Sequence, residues 1–519
     1  MPISSTVSNS NVVRAMLLGL VLLAGLFVWE GHQGFSLFDE GYLWYGVQRV
    51  LAGEVPIRDF QAYDPGRYYW SAGLMRLSGT HGIMAVRETI VILQAFALAA
   101  ALGWLAAIDK KRSNFRYSII CALTLVAWMV PRHKIFDISI SIGLVCVLAS
   151  LVRRPSGRNH FLVGLTVGLA AYFGRNHGVY GALASSGVIL YLALRCEGWT
   201  DWGHGVLIFA AGLLVGYLPM LATMVLARGF TSAFVDSIKF LFEVKATNLP
   251  LPIPWPWNAQ FGAAPFVDVL REVLIGLFFI STLAFGCISI AYVLIARWNR
   301  KAIHPLVVAC AFCAIPYAHY AFSRADPGHL AQGIFPTLIG ILALVASTPM
   351  WTRYLVACGL CACSWLAMIP MHPGWQCMAP DACERISIDG DRLFVDRGAA
   401  NDISLLRHLK DEYTPSGQNF FVAPLWPGAY ALLDAKSPTW EIYTAWPRSN
   451  VFQREEIDRI KSSKSAFILI YDLPLDGRDE LRYRNTHPLI EQYIRTNYTR
   501  VTGLTDNPAY QIYRSEGGT

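Results

Sequence analysis

Charge is what this sequence has least of: Asp, Glu, Lys and Arg make up 15% of its 519 residues, against 54% hydrophobic. A soluble protein of this length carries about a quarter charged residues, so a wholly soluble chain is excluded. The deficit is uneven. It lies in residues 1–371, a series of apolar stretches, and ends at 372–519, where mixed composition returns. No lysine-rich tract and no aromatic–basic RNA motif occurs, so the formal net charge of +7 reads as membrane topology and not as nucleic-acid binding. No glycine-rich phosphate loop is present, and nucleotide chemistry in the tail is not expected. The sequence lacks an internal repeat of the kind many transporters carry. No His, Asp or Glu group has firm metal-ligand spacing; no cofactor is expected, and a divalent cation is left open but not indicated.

What is there suits a lipid bilayer. The apolar stretches match a hydrocarbon core of about 30 Å and number about eleven. They run over 15–29, 84–108, 117–130 and 136–151, then a fifth and sixth that meet at 174–178, then 206–227. An eighth ends at Arg297, a ninth and tenth meet at 323–326, and the last ends near Met371. The first is read as an uncleaved helix, since no clean small-x-small cleavage site follows it. The most basic loops hold Lys110, Lys111, Arg112 and Arg116, then Arg153, Arg154 and Arg158, then Arg195, then Arg297, Arg300 and Lys301. All fall on the side of the N-terminus, which the positive-inside rule makes cytoplasmic; Arg132 and Lys134 run against it. The long first loop (30–81) and the tail then lie outside. The expected fold class is mainly α: a polytopic membrane domain of about 11 transmembrane helices (1–371) followed by a C-terminal soluble α/β domain (372–519).

Within the first loop, Leu43, Val47, Val50 and Leu51 fall at helical spacing beside Trp44 and Tyr45, and Gly53 supplies a stop. Residues 67–77 form a second aromatic-rich helix, and both are expected to lie at the bilayer interface. The tail alternates: helix 403–413, strand 420–423, helix 451–462, strand 466–471, helix 488–496, and a final strand pair over 498–504 and 509–513. The proline-rich run 248–257 cannot be a helix and is expected to be extended, with Trp255 and Trp257 as interfacial anchors. Of eleven cysteines, nine sit in or beside apolar spans, and the C-x-x-C pair Cys310 and Cys313 reads as buried apolar cysteine. Cys377 and Cys383, in a turn-rich outer segment, are expected to pair in an oxidising compartment.

Ionisable groups at membrane depth are costly and mark function by default. Here they gather at the outer ends of the spans: Asp39 and Glu40, Asp64 and Arg67, Arg132 to Lys134, Asp137, Arg175 and His177, and Arg324, Asp326 and His329. The topology places them toward one outer cavity. Asp39 suits a helix N-cap or a general base, and Glu40 a second carboxylate. Arg67, Arg175 and Arg324 suit a phosphate, which guanidinium groups meet with paired, charge-assisted hydrogen bonds. Asp326 is expected to pair with Arg324 or to start the Asp-Pro-Gly turn. His177 and His329 suit phosphate, sugar or plain packing.

The segment Ser36-Leu37-Phe38-Asp39-Glu40-Gly41-Tyr42 through Gly53-Glu54-Val55-Pro56 resembles the first outer loop of the GT-C superfamily, the polyprenyl-phosphate-dependent membrane glycosyltransferases. These include aminoarabinose transferases and protein O-mannosyltransferases. The resemblance implies that the catalytic acid is Asp39, with Glu40 beside it. Ala62-Tyr63-Asp64-Pro65-Gly66-Arg67-Tyr68 looks like the family's second motif in that loop. Many members have a lysine there and this chain has none, which makes Arg67 the candidate. The resemblance further implies an inverting glycosyltransferase of a bacterial inner membrane with its C-terminal domain in the periplasm. Its partners would be a polyprenyl-phosphate sugar donor, a lipid, glycan or protein acceptor, and the lipid bilayer. The competing reading is a transporter or flippase of lipid-linked sugars, which should show pseudo-symmetric halves and broken helices.

Overall fold

The computed structural model describes residues 9–108, 115–194, 199–415 and 417–515. Lys110, Lys111, Arg112 and Arg195, which the topology reading uses, lie outside the described residues. Each of the eleven apolar stretches is helical. Among the described residues, seven helices are long and apolar enough to cross a membrane unaided: Ser10–Glu30, Gly82–Ala106, Arg132–Arg153, Trp202–Leu226, Phe266–Trp298, Pro305–Ser323 and Met350–Met371. An eighth span is counted if Pro327–Gly333 and Phe335–Ala346, bent by 56°, are one broken helix. The remaining stretches are the short Phe115–Ala127 and the pair Gly157–Phe173 and Arg175–Ala193, whose shared end carries Arg175, Asn176 and His177. The chain is a multi-pass membrane protein.

Two compact units divide it. One holds Met1–Gly31, Ile90–Leu226 and Thr247–Trp375; the other holds His32–Thr89, Ala227–Ala246 and Gln376–Thr519.

In the first unit, two glycine pairs let backbones meet. A Cβ at Gly164 would lie 2.0 Å from the Phe209 carbonyl oxygen, and one at Gly168 2.2 Å from that of Leu213. In return, a Cβ at Gly212 would lie 2.2 Å from the Phe161 oxygen and one at Gly216 2.1 Å from the Leu165 oxygen. Helices Gly157–Phe173 and Trp199–Leu226 thus present reciprocal Gly-x-x-x-Gly faces, the contact that association in lipid favours because van der Waals packing drives it. The alanine-rich helix Pro305–Ser323 is buried along most of its length against Ile135–Arg153, Arg175–Ala193 and Phe266–Trp298. Cys310 and Cys313 lie fully buried in it with no disulfide. The proline-rich run is extended apart from one 3-10 turn, Pro256–Asn258, and its tryptophans stack with centroids 5.4 Å apart.

The second unit contains the first-loop helices Asp39–Leu51 and Gly66–Ser78, helix Phe230–Val244 and the tail. Strands β1 (Cys383–Ile388) and β2 (Asp391–Asp396) form an antiparallel hairpin. Strands β3 (Phe420–Ala423), β4 (Phe467–Tyr471), β5 (Tyr498–Val501) and β6 (Tyr510–Ser515) form a sheet in the order β3-β4-β6-β5, with β3 and β4 parallel. Helices Arg397–Tyr413, Asn450–Ser463 and Pro488–Asn497 accompany it. Cys377 and Cys383 are disulfide-bonded. One expectation changes: the aromatic rings of helix Asp39–Leu51 are not presented to headgroups. Trp44, Tyr45 and Tyr42 are buried in this unit, and Tyr45 packs on Phe60 and on the tail's Tyr430. The aromatic residues that suggested a headgroup belt are core.

Candidate active site

The candidate residues fall into one cluster in each unit. Asp39, Glu40, Asp64 and Arg67 belong to the unit that holds the tail; Arg175, His177, Arg324, Asp326 and His329 belong to the helical unit.

In the first cluster, Phe38 is the residue before helix Asp39–Leu51, and no side chain caps that helix. Asp39 is therefore its first residue and not its cap, in the turn where the positive end of the helix dipole favours an acid. The two members of the acidic pair face different surroundings. Glu40 is buried, and Arg87 donates to both its oxygens, from Nε to Oε1 at 2.7 Å and from Nη2 to Oε2 at 2.8 Å. Arg87, 2% exposed, also donates to the Gly34 carbonyl at 2.6 Å. Asp39 is half-buried, and its Oδ1 accepts from the Tyr443 hydroxyl at 3.3 Å.

Close backbone approach sets this geometry. A Cβ at Gly41 would stand 2.5 Å from the Cα of Gly428, and the Gly428 N–H donates to the Leu37 carbonyl at 2.9 Å. Only glycine fits at both positions, so the acidic turn is pinned to the start of the tail helix Pro427–Leu432. Opposite, the Gln61 amide grips the tail: Oε1 accepts from the N–H groups of Ile442 (3.1 Å) and Tyr443 (2.8 Å), and Nε2 donates to the Tyr443 carbonyl (3.2 Å). Glu54 accepts from Arg49 and is paired with Lys436 at 2.7 Å. Burial opposes its charge, but those two cations outweigh it and hold the carboxyl below its usual range.

Around Asp39 lies an aromatic cluster. Tyr42 meets Tyr63 and Tyr443 edge-on, with centroids 4.9 Å and 5.6 Å apart. Burial first, then the neighbouring phenols, push Tyr42 well above its ordinary range, so it stays protonated. The buried Arg67 guanidinium sits over the Tyr63 ring at 4.4 Å, a cation–π contact. Asp64 is buried at the entry to helix Gly66–Ser78.

The second cluster gathers the ends of several helices at one end of the helical unit. His177 is fully buried; its Nε2 lies 2.8 Å from Asp137 Oδ1 and its Nδ1 3.0 Å from the Tyr317 hydroxyl. Both ring nitrogens are therefore engaged inside the protein, which ties three helices together two residues beyond Arg175. Arg175 is half-buried as the first residue of helix Arg175–Ala193. Arg324 Nε donates to Asp326 Oδ2 at 3.0 Å and Nη1 to the Leu249 carbonyl at 3.1 Å. Asp326 pairs with Arg324 as expected and also caps helix Pro327–Gly333, accepting from the His329 N–H at 2.8 Å and lying 2.9 Å from His329 Nδ1. At the same end Arg132 donates to the Glu30 carbonyl, and Glu30 Oε1 meets the buried His372 Nδ1 at 3.0 Å. His372, just beyond the last span, is thus a fully buried brace, with Trp365 stacked on it.

Sequence reasoning missed Arg87, Tyr443, Gln61, Tyr317 and the Glu30–His372 pair. Arg87 carried a signal, since a charge within an apolar span is costly. Tyr443 and Gln61 carried none, because their partners are hundreds of residues away. Among the described residues, no group of three or more His, Cys, Asp or Glu is placed to hold a metal ion.

No family model matches this sequence, and no curated protein matches it. Solved structures do. ArnT from Cupriavidus metallidurans in the apo state is similar over 96% of this chain and 97% of its own, at 12% identity and a TM-score of 0.51. The apo oligosaccharyltransferase of Archaeoglobus fulgidus is similar over 95% of this chain and 72% of its own, at 11% identity and a TM-score of 0.49. The oligosaccharyltransferase AglB of the same organism, in complex with an inhibitory peptide and a dolichol-phosphate, covers 99% and 75%, at 11% identity and 0.46. At such identities the likeness to ArnT shows the fold alone, and this chain shares that fold.

Proposed function

We propose that this chain is an inverting glycosyltransferase that moves a sugar from a polyprenyl-phosphate donor to a glycan, lipid or protein acceptor on the periplasmic face. The observation that carries the reading is the division of labour in the acidic pair. Glu40 is paired with Arg87, while Asp39, half-buried at a helix start, accepts a hydrogen bond from the Tyr443 phenol. In the proposed reaction an acceptor hydroxyl or amine attacks the anomeric carbon from the face opposite the phosphate. The carbon–oxygen bond to phosphate breaks, polyprenyl phosphate leaves with the bonding electrons, and Asp39 takes the acceptor's proton. Arg175 and Arg324 are proposed to meet the charge that grows on the phosphate, an effect worth a few kcal/mol where such groups are pre-set. Arg67 and Asp64 are proposed to bind substrate beside Asp39, and His177, Asp326 and His329 beside the two arginines, where Asp326 pairs with both Arg324 and His329.

One feature favours the transporter reading, the bent pair of helices at 327–346, since broken helices mark many transporters. Purified protein with a sugar-labelled polyprenyl-phosphate donor separates the two. A glycosyltransferase moves label to an acceptor in detergent, with inverted anomeric configuration by NMR. A transporter moves the intact lipid-linked sugar across a sealed vesicle and makes no new glycosidic bond.

A further inference from the structure

The tail is bound to the first loop through a few residues with unusually complete anchoring, and one of them touches Asp39. The Tyr443 backbone is gripped on both sides by Gln61, whose amide takes its N–H and its carbonyl. The next residue is held equally firmly: the Thr444 N–H and hydroxyl both donate to the Pro424 carbonyl, at 2.8 Å and 2.9 Å. Two residues earlier, buried Glu441 accepts from Arg448 at 2.6 Å and meets His487 Nε2 at 2.9 Å. The Tyr443 ring packs edge-on against Tyr42. With backbone and ring fixed, the hydroxyl is delivered to Asp39 Oδ1. If the ring served packing alone, phenylalanine would fill the same place, and nothing in the contact with Tyr42 calls for an oxygen.

We infer that Tyr443 is a positioning residue: its hydroxyl orients the Asp39 carboxylate, so the tail contributes a group to the reaction centre, with Gln61 as the clamp that aims it. The inference rests on the reading of Asp39 as the base. A hydrogen bond donated to an ionised carboxylate favours the charged form and fixes which way the oxygens face. A positioning group works only if its own rotamer is locked, the condition met here through Gln61 and Thr444.

The test uses the full chain in lipid nanodiscs. Infrared titration, taken as wild type minus Asp39→Asn, isolates the Asp39 carboxylate band without need of substrate. In Tyr443→Phe its midpoint is expected to move up by about one pH unit. With a polyprenyl-phosphate hexose as donor, the acid limb of the rate profile should move by the same amount, kcat should fall about tenfold, and KM for donor should stay within about twofold. Gln61→Leu keeps the hydroxyl but releases its backbone, and should move the same midpoint in the same direction. It gives the answer if Tyr443→Phe does not fold. A midpoint unmoved in both variants, or activity lost with the acid limb unmoved, overturns the inference. Full activity in Asp39→Asn would instead remove the base reading itself, whereas an inactive Asp39→Asn beside an unaltered Tyr443→Phe removes only the role of Tyr443.

Discussion

Removing one partner of the Glu40–Arg87 pair should unfold the unit that carries it far more readily than removing both. Arg87 is 2% exposed and Glu40 6%, and the pair is bidentate, with bonds of 2.7 Å and 2.8 Å. Glu40→Ala leaves the Arg87 guanidinium buried without the carboxylate that meets it on two nitrogens. Breaking such a pair costs about 3–5 kcal/mol, while replacing both members by apolar residues of similar volume is near neutral. For a cooperative unit of this size, each kcal/mol moves the midpoint by about 2–4 °C, so Glu40→Ala should lower it by roughly 6–20 °C. The double variant Glu40→Met with Arg87→Met should recover most of that loss. The assay is thermal unfolding in detergent followed by near-UV dichroism of the buried tyrosines and tryptophans, with sugar transfer measured on the same samples. If Glu40 holds structure and not protons, the folded double variant keeps activity within about tenfold of wild type. A double variant that is stable yet inactive, or a Glu40→Ala midpoint within 2 °C of wild type, refutes the reasoning.

Three further outcomes follow from the packing. Gly168→Leu drives a side chain into the backbone of the facing helix, at a cost of about 1–3 kcal/mol or more. It should sharply reduce monodisperse protein on size exclusion, while Gly25→Ala, which meets nothing within 4 Å, should be silent. Cys377 and Cys383 should resist alkylation until reduced, and replacing both by serine should cost about 2 kcal/mol for so short a loop. Glu456 is pushed up to about 7 by burial, with Glu441 adding to it and Arg459 opposing it. Its folded value lies above its unfolded one, so its contribution is full below about pH 4.5 and is lost as pH rises through about 7. Chemical denaturation should therefore show the tail-bearing unit more stable at pH 5 than at pH 8, by an amount on the order of 2–4 kcal/mol, and Glu456→Gln should flatten that dependence.

Periodicity and composition carried the local structure well. The helix at Asp39–Leu51, with its stop at the left-handed Gly53, and the β3, β4 and final strand pair of the tail were legible because each signal sits within a dozen residues. The hairpin β1–β2 was not legible, since its exposed edge residues lack the apolar run that marked β4. Aromatic content misled at Trp44 and Tyr45: a ring that suits a headgroup also suits a protein core, and only the partner decides. At the site, Asp39 and Glu40 could be named from the chain but not told apart. What separates them is Arg87 on one and Tyr443 on the other. Tyr443 arrives from 404 residues away, a pairing that no local pattern encodes. His177 read equally as a phosphate or sugar contact or as packing, and only its distant partners Asp137 and Tyr317 decide, whereas the pairing of Asp326 with Arg324, two residues away, was legible.

The measurement closest to the centre of this account is a single-turnover rate of polyprenyl-phosphate release, with excess enzyme, a purified polyprenyl-phosphate sugar and a saturating hydroxyl- or amine-bearing acceptor, compared between wild type and Asp39→Asn. Loss of a general base predicts a fall of about 10²–10⁴-fold, with donor binding retained. A variant that releases polyprenyl phosphate within about threefold of the wild-type rate, below even one power of ten in barrier terms, would contradict it.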